Sequence, residues 1–185
     1  YMPSTTPKQK ISKVRHFGGE YVDIVLVGDT FDDAYHAAIQ RCELDGLPFI
    51  HPFDDYDVMA GQGTVGLEIL EQCPEPLDIL LVAVGGGGLL SGVGSYFKQR
   101  SPNTKIIAIE SEGAPALHAS LNTGQVVTLD KIDSFADGIA VKRVGQHTFD
   151  ICKEIVDEIV LVPEGQICST MLKLYNDEAI VTEPA

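Results

Sequence analysis

Four consecutive glycines, Gly85 to Gly88, follow an apolar run that covers residues 77–84. The apolar run predicts a buried parallel strand, and the segment 89–97 that follows the glycines predicts a helix. Glycines at such a junction let the backbone approach an anion closely, and the N–H groups at the start of the helix point toward it. The pattern therefore predicts a phosphate-binding loop. A flexible linker is disfavoured because linkers seldom join a buried strand directly to a helix.

The composition limits the classes of partner. A net charge of −14 argues against a nucleic-acid partner and against binding to an anionic membrane surface, although backbone N–H groups can still hold a phosphate. No apolar stretch is long enough to predict a membrane span, and the first residues lack the pattern of a signal peptide, so we expect a cytoplasmic protein. The four cysteines show no zinc-binding or C-x-x-C spacing, which predicts mostly buried, reduced thiols and no metal site.

Strand-like and helix-like segments alternate along the chain. This alternation predicts an α/β fold with mainly parallel, twisted sheets and helices on both faces. The predicted strands cover residues 21–27, 48–50, 78–84, 105–110, 158–162 and 179–181. The predicted helices cover residues 8–17, 31–44, 115–121, 145–156 and 164–175, a stretch from the glycines to residue 99, and one that begins near residues 62–64 and ends at 72.

The stretch from Pro52 to Gly63 interrupts this alternation. It predicts that residues 1–55 are part of a small domain and residues 56–185 part of a larger one, and cofactor sites often lie between such domains. The chain opens within what reads as a strand-to-helix connection and stops just after a predicted strand. We therefore expect it to be a piece of a larger protein.

A dinucleotide-binding domain of an NAD(P)-dependent oxidoreductase is one alternative. The strand, the glycine loop, the helix and a following strand that ends in Glu110 reproduce that layout. The G-x-G-x-x-G fingerprint is incomplete, however, because Ser91 stands where the last glycine belongs. A run of four glycines also offers more consecutive flexible N–H groups than a pyrophosphate turn requires, which favours a single terminal phosphate.

The glycine loop, Val-Gly-Gly-Gly-Gly-Leu at residues 84–89, resembles the phosphate-binding loop of pyridoxal-phosphate enzymes of the tryptophan-synthase-β type, which is fold type II. Within that group the chain is most similar to the threonine dehydratases (threonine ammonia-lyases). The similarity extends over residues 2–10, 15–19, 28–32, 52–54, 60–64, 135–143 and 181–185.

The resemblance implies an activity and a set of partners. The cofactor would be pyridoxal 5′-phosphate, and the parent enzyme would deaminate L-threonine, a small amino-acid substrate, to 2-oxobutanoate and ammonia in isoleucine biosynthesis or threonine breakdown. It also implies that the intact protein is a homo-oligomer, either a dimer or a tetramer. A serine dehydratase or serine racemase of the same fold remains an alternative.

The resemblance further implies which residues bind the cofactor. The backbone N–H groups of five consecutive residues would bind its phosphate: Gly85, Gly86, Gly87, Gly88 and Leu89. Gly138 would lie near the pyridoxal ring, and Glu183 would be an acidic residue in the active-site wall. An ordinary turn at Gly138 and a surface carboxylate at Glu183 are the alternatives that the residues alone leave open.

No catalytic residue is predicted within this chain. In the family, the lysine that holds the cofactor covalently lies in a motif that would precede residue 1, so the 185-residue chain alone is expected to be inactive. Some relatives hold a cation beyond the strand that ends in Glu110. Glu110 and Ala114 fit part of the spacing of that cluster of acidic and loop-carbonyl ligands, but Ala116 stands where a second acidic ligand would be expected. Glu110 is therefore predicted to be a structural acid at the surface.

Overall fold

The computed structural model describes all 185 residues and divides into two compact units, Tyr1–Ile50 and His51–Ala185. The boundary therefore falls shortly before the division expected at residues 55 and 56. The assignment of the two units to a small and a large domain of an intact enzyme remains a prediction.

The first unit consists of two helices, α1 (Lys8–Gly18) and α2 (Phe31–Asp45), with a single 3-10 turn at Gly19–Tyr21. Helix α2 begins as predicted. The Thr30 hydroxyl accepts a hydrogen bond from the Asp33 N–H at 3.2 Å, and the Asp33 carboxylate accepts one from the Thr30 N–H at 3.0 Å. This reciprocal capping satisfies two N–H groups at the start of the helix that have no partner within it.

The two strands predicted in the first unit are absent. Residues 21–27 and 48–50 form no strand, and the only pairing in this unit is a parallel bridge between Met2 and Leu26. A β-prone segment becomes a strand only when a neighbour supplies hydrogen bonds along its length, and here Met2 alone does so. Helix α1 has no side-chain cap, although hydroxyl residues precede it, and the Thr5 hydroxyl donates to the Asp29 carbonyl at 2.9 Å.

The second unit is built on a three-stranded parallel sheet in the order β1-β2-β3. Its elements are α3 (Tyr56–Gln72), β1 (Ile79–Ala83), α4 (Gly88–Arg100), β2 (Lys105–Ser111), α5 (Ala116–Thr123), α6 (Gln146–Ile155), β3 (Glu158–Val162) and α7 (Glu164–Glu178). The predicted α/β class with a parallel sheet is confirmed. The strand predicted at residues 179–181 does not form: α7 continues to Glu178, and no strand follows it.

The hydrophobic core of this unit lies on one face of the sheet. Leu90 and Phe97 of α4 are fully buried, as is Ile106 of β2. The other face is more open. Ile79 and Leu81 of β1 are 53% and 64% exposed, although strands of parallel sheets are ordinarily covered on both faces.

Helix α3 begins earlier than predicted. The Asp55 carboxylate accepts hydrogen bonds from the N–H groups of Asp57 and Val58, at 2.8 and 3.2 Å, and so caps a helix that begins at Tyr56. The glycines of this helix allow close packing on α4. A Cβ placed on Gly63 would lie 3.2 Å from the carbonyl oxygen of Gly92. No helix of the chain combines the length and the apolar character needed to cross a membrane.

Candidate cofactor-binding site

The glycine loop connects the end of β1 to the first turn of α4. Val84 is still held in the sheet, since its N–H donates to the Ile109 carbonyl at 2.9 Å. Gly87 caps α4 with a φ of +94°, a conformation that a residue with a side chain rarely adopts. The predicted arrangement of strand, glycine loop and helix is therefore present, and the loop lies at the carboxyl end of a parallel strand.

The N–H groups of this loop have no acceptor within the chain. None of the residues Gly85, Gly86, Gly87, Gly88 and Leu89 donates a backbone hydrogen bond, and the first such bond of α4 runs from the Ser91 N–H to the Gly87 carbonyl at 2.8 Å. Consecutive N–H groups at a helix N-terminus, where the helix dipole is positive, suit a negatively charged ligand. The donor set therefore fits a phosphate group.

The protein packs so tightly against the back of the loop that side chains there would not fit. A Cβ on Gly86 would collide with the Phe53 ring, and one on Gly88 would lie 2.9 Å from the Phe53 Cβ. A Cβ on Gly87 would lie 2.9 Å from the Cβ of Thr148. These contacts explain why several successive positions of the loop are glycine.

Two hydrogen bonds fix the carbonyl of Gly86. The Thr148 hydroxyl donates to it at 2.7 Å, and the Gly145 N–H donates to it at 3.3 Å. Thr148 lies in the first turn of α6, whose N-terminus is capped by the Asp54 carboxylate. That carboxylate accepts hydrogen bonds from the N–H groups of Gln146, His147 and Thr148, at 3.0, 2.8 and 3.1 Å.

Sequence reasoning missed both Asp54 and Thr148. Asp54 belongs to one of the segments that carry the family resemblance, so a signal was present but pointed to no role. Thr148 gave no signal, because its partner Gly86 lies 62 positions away in the chain.

The structure brings the other two predicted cofactor-binding residues close to the loop. A Cβ on Gly85 would lie 3.0 Å from the carbonyl oxygen of Ile139, so the loop contacts the turn that contains Gly138. A Cβ on Gly138 would in turn lie 3.8 Å from the Glu183 carboxylate and 2.8 Å from the Ala185 Cβ. All the residues predicted to surround the cofactor therefore belong to one continuous neighbourhood. Their roles in binding remain predictions.

Glu110 is not the surface acid that was predicted. It is 1% exposed, and its two carboxylate oxygens accept hydrogen bonds from the N–H groups of Leu117 and His118, both at 2.8 Å. Burial raises the pKa of this carboxyl from 4.5 to about 7, against the lowering effect of the two hydrogen bonds. The side chain extends from β2 into the core and caps the first turn of α5.

The cysteines are all unpaired, but fewer are buried than predicted. Cys152 lies in the core behind the glycine loop, with its sulfur 3.5 Å from the Ser91 hydroxyl, and burial raises the pKa of its thiol to about 12. Cys73 and Cys168 are exposed.

The fold and the loop define a class of α/β proteins in which a glycine-rich strand-to-helix connection presents backbone N–H groups to a phosphate. Within that class, the whole chain, residues 1–185, matches the family described as "Pyridoxal-phosphate dependent enzyme", and the chain belongs to this family. The family takes its name from its cofactor, pyridoxal 5′-phosphate.

Individual relatives narrow the comparison. The chain is 56% identical over 185 residues to L-threonine dehydratase biosynthetic IlvA of Bacillus subtilis. The match covers the whole of this chain but only 44% of the length of that protein. The processed form of threonine deaminase isoform 2 from Solanum lycopersicum has a TM-score of 0.89 and 45% identity, with 99% of this chain and 52% of that one covered. Serine racemase from Dictyostelium discoideum has a TM-score of 0.81 and 35% identity, with coverage of 98% and 57%.

Proposed function

We propose that this chain forms the cofactor-phosphate-binding part of a threonine dehydratase, which deaminates L-threonine to 2-oxobutanoate and ammonia with pyridoxal 5′-phosphate. The observation that carries the proposal is the set of consecutive N–H groups from Gly85 to Leu89, which lie at the N-terminus of α4 and have no acceptor in the chain. The names of the relatives at 56% and 45% identity supply the substrate.

The role of these residues is to bind and orient the cofactor. When bound, pyridoxal phosphate supplies a ring that withdraws electrons from the α-carbon of the substrate. The loop would hold the phosphate, and the positive end of the α4 dipole would favour its charge by about 0.3–1 kcal/mol or more. Fixing one end of the cofactor limits the orientations of its ring, and such positioning lowers the barrier of the following reaction. Gly138 and Glu183 are proposed to lie beside that ring.

The preference for threonine over serine is part of this proposal. It is supported by the higher identity to the threonine enzymes of B. subtilis and tomato than to the serine racemase. Serine dehydratase or serine racemase remains the second candidate, because the serine racemase shares the fold at 35% identity. A role in isoleucine biosynthesis in the cytoplasm, and a homo-oligomeric intact enzyme, belong to the same proposal.

The catalytic lysine is proposed to lie outside this chain. Lys8 and Lys13 occupy exposed positions on α1, and neither matches the family motif. A lysine is activated as a nucleophile by desolvation in an apolar pocket, whereas these two side chains are exposed to solvent.

The test compares the 185-residue chain with the same chain extended to the length of its relatives. Both are given pyridoxal phosphate, and 2-oxobutanoate formation is followed with L-threonine and with L-serine as a competing substrate. We expect turnover only by the extended protein, with a higher kcat/KM for threonine. Turnover by the 185-residue chain at the rate of the extended protein would contradict the placement of the lysine. A higher kcat/KM for serine would contradict the proposed substrate.

A further inference from the structure

We propose that Thr148 is a positioning residue for the glycine loop: its hydroxyl sets the direction in which the loop's N–H groups point, and Asp54 holds Thr148 in place. This inference rests on the proposed function, because it assigns the loop a phosphate ligand. It concerns residues of this chain that lie behind the loop, on the side away from the proposed ligand.

The first step of the argument is the geometry of one peptide unit. The Gly86 carbonyl and the Gly87 N–H belong to the same planar, trans peptide, so they point in opposite directions. Because Thr148 and Gly145 both donate to the Gly86 carbonyl, at 2.7 and 3.3 Å, that oxygen faces α6. The Gly87 N–H is therefore directed away from α6, toward the side of the loop that a phosphate would occupy.

The second step is that glycines do not hold this orientation by themselves. A glycine populates positive and negative φ about equally, so a peptide between two glycines can rotate at little cost. The Gly86–Gly87 peptide is such a unit, and Gly87 has a φ of +94°. A fixed donor behind it is needed if the N–H groups are to be arranged before the ligand arrives, and such preorganisation improves affinity.

The third step is that Thr148 is itself fixed. It is fully buried, its N–H donates to Asp54 at 3.1 Å, and its carbonyl accepts a hydrogen bond from the Ser91 hydroxyl at 3.3 Å. Ser91 belongs to α4, so Thr148 contacts both the loop and the helix that follows it.

The Asp54 carboxylate has a second consequence. Two helix N-termini, those of α4 and α6, lie next to each other at this place. The first N–H groups of α6 already donate to Asp54, whereas those of α4 have no acceptor in the chain. A phosphate is therefore directed to α4, because the carboxylate would repel it from α6.

The test measures the phosphate contribution to binding in the 185-residue chain. The probes are pyridoxine 5′-phosphate and pyridoxine, which differ only in the phosphate and lack the aldehyde that would react with surface lysines. Dissociation constants are measured by isothermal titration calorimetry. The ratio of the two constants reports the phosphate site alone, and a change in general stability does not alter it.

Thr148→Val keeps the size of the side chain and removes the hydroxyl, whereas Thr148→Ser restores a hydroxyl. Thr104→Val is the matched control, because Thr104 is also buried and its hydroxyl donates to the Leu77 carbonyl at 2.7 Å, outside the loop. We expect Thr148→Val to weaken binding of pyridoxine 5′-phosphate about tenfold and to leave pyridoxine unchanged. Thr148→Ser and Thr104→Val should keep the ratio of the unmodified chain.

Three results would overturn the inference. The first is an unchanged ratio of the two dissociation constants in Thr148→Val, and the second is an equal loss of pyridoxine 5′-phosphate affinity in Thr104→Val. The third is that the unmodified chain binds both probes equally, and this result contradicts the proposed function itself rather than the role of Thr148 alone.

If Thr148→Val does not fold, as judged by circular dichroism, Thr148→Ala takes its place in the same comparison.

Discussion

Replacing the buried Glu110 by glutamine should change how the stability of the protein depends on pH. The carboxyl of Glu110 has a pKa of about 7 in the folded protein, against an ordinary value of 4.5, because burial disfavours its charged form. The folded state therefore binds this proton more tightly than the unfolded state does. Glutamine is neutral at every pH and keeps one carbonyl oxygen for the N–H groups at the start of α5.

The sign and the size of the effect follow from this difference in pKa. A raised carboxyl pKa contributes stability that is fully present below about pH 4.5 and is lost as the pH rises through about 7. Each unit of difference corresponds to about 1.4 kcal/mol, so the whole contribution is about 3 kcal/mol. The difference in free energy of unfolding between the unmodified chain and Glu110→Gln should therefore fall by about that amount as the pH rises from 4.5 to 7.

The assay is urea unfolding followed by circular dichroism at several pH values from 4.5 to 8, with both proteins in the same buffers. Glu112→Gln, which removes an exposed carboxylate from the same segment, accounts for general effects of charge. A difference between the unmodified chain and Glu110→Gln that does not vary with pH would refute the reasoning. A difference that increases with pH would show that the two hydrogen bonds from α5 outweigh the cost of burial.

Two further results are expected from packing and burial. Gly92→Ala should lower the free energy of unfolding by about 1–3 kcal/mol in urea titrations, because its Cβ would collide with the backbone of α3. A Cβ on Gly61 would lie in open space, so Gly61→Ala should raise the free energy of unfolding by about 0.5–1 kcal/mol. Equal effects of the two substitutions on the free energy of unfolding would contradict this account of the packing between α3 and α4. A disulfide reagent should modify Cys73 and Cys168 well before Cys152, because burial raises the pKa of the Cys152 thiol to about 12. Mass spectrometry of the labelled peptides measures the order of labelling, and earlier labelling of Cys152 would contradict this prediction.

The parts of the fold that sequence predicts well are those set by local chemistry. The capping box of α2 involves residues three positions apart, and both of its members can be read directly from the sequence. The glycine loop is equally local, since the strand, the glycines and the helix follow one another. The strand predicted at residues 21–27 failed for the opposite reason, because its formation depends on a partner strand that local sequence does not specify.

The parts that sequence did not predict depend on contacts between distant segments. The burial of Glu110 depends on how α5 packs against β2, and an acid at the end of a strand gives no sign of that packing. The glycines of α3 resemble helix breakers until the approach of α4 is known. The contact between Thr148 and the Gly86 carbonyl spans 62 positions, and no spacing rule covers that distance.

The central claim is that the N–H groups of the glycine loop hold the phosphate of the cofactor. Nuclear magnetic resonance tests it directly, using the chain labelled with ¹⁵N-glycine and titrated with pyridoxine 5′-phosphate. The account predicts that the amide resonances of Gly85 to Gly88 shift the most and saturate together, while Gly46 and Gly165, which lie in other parts of the chain, do not move. Unchanged resonances at Gly85 to Gly88 at saturating ligand, with shifts at other glycines, would contradict it.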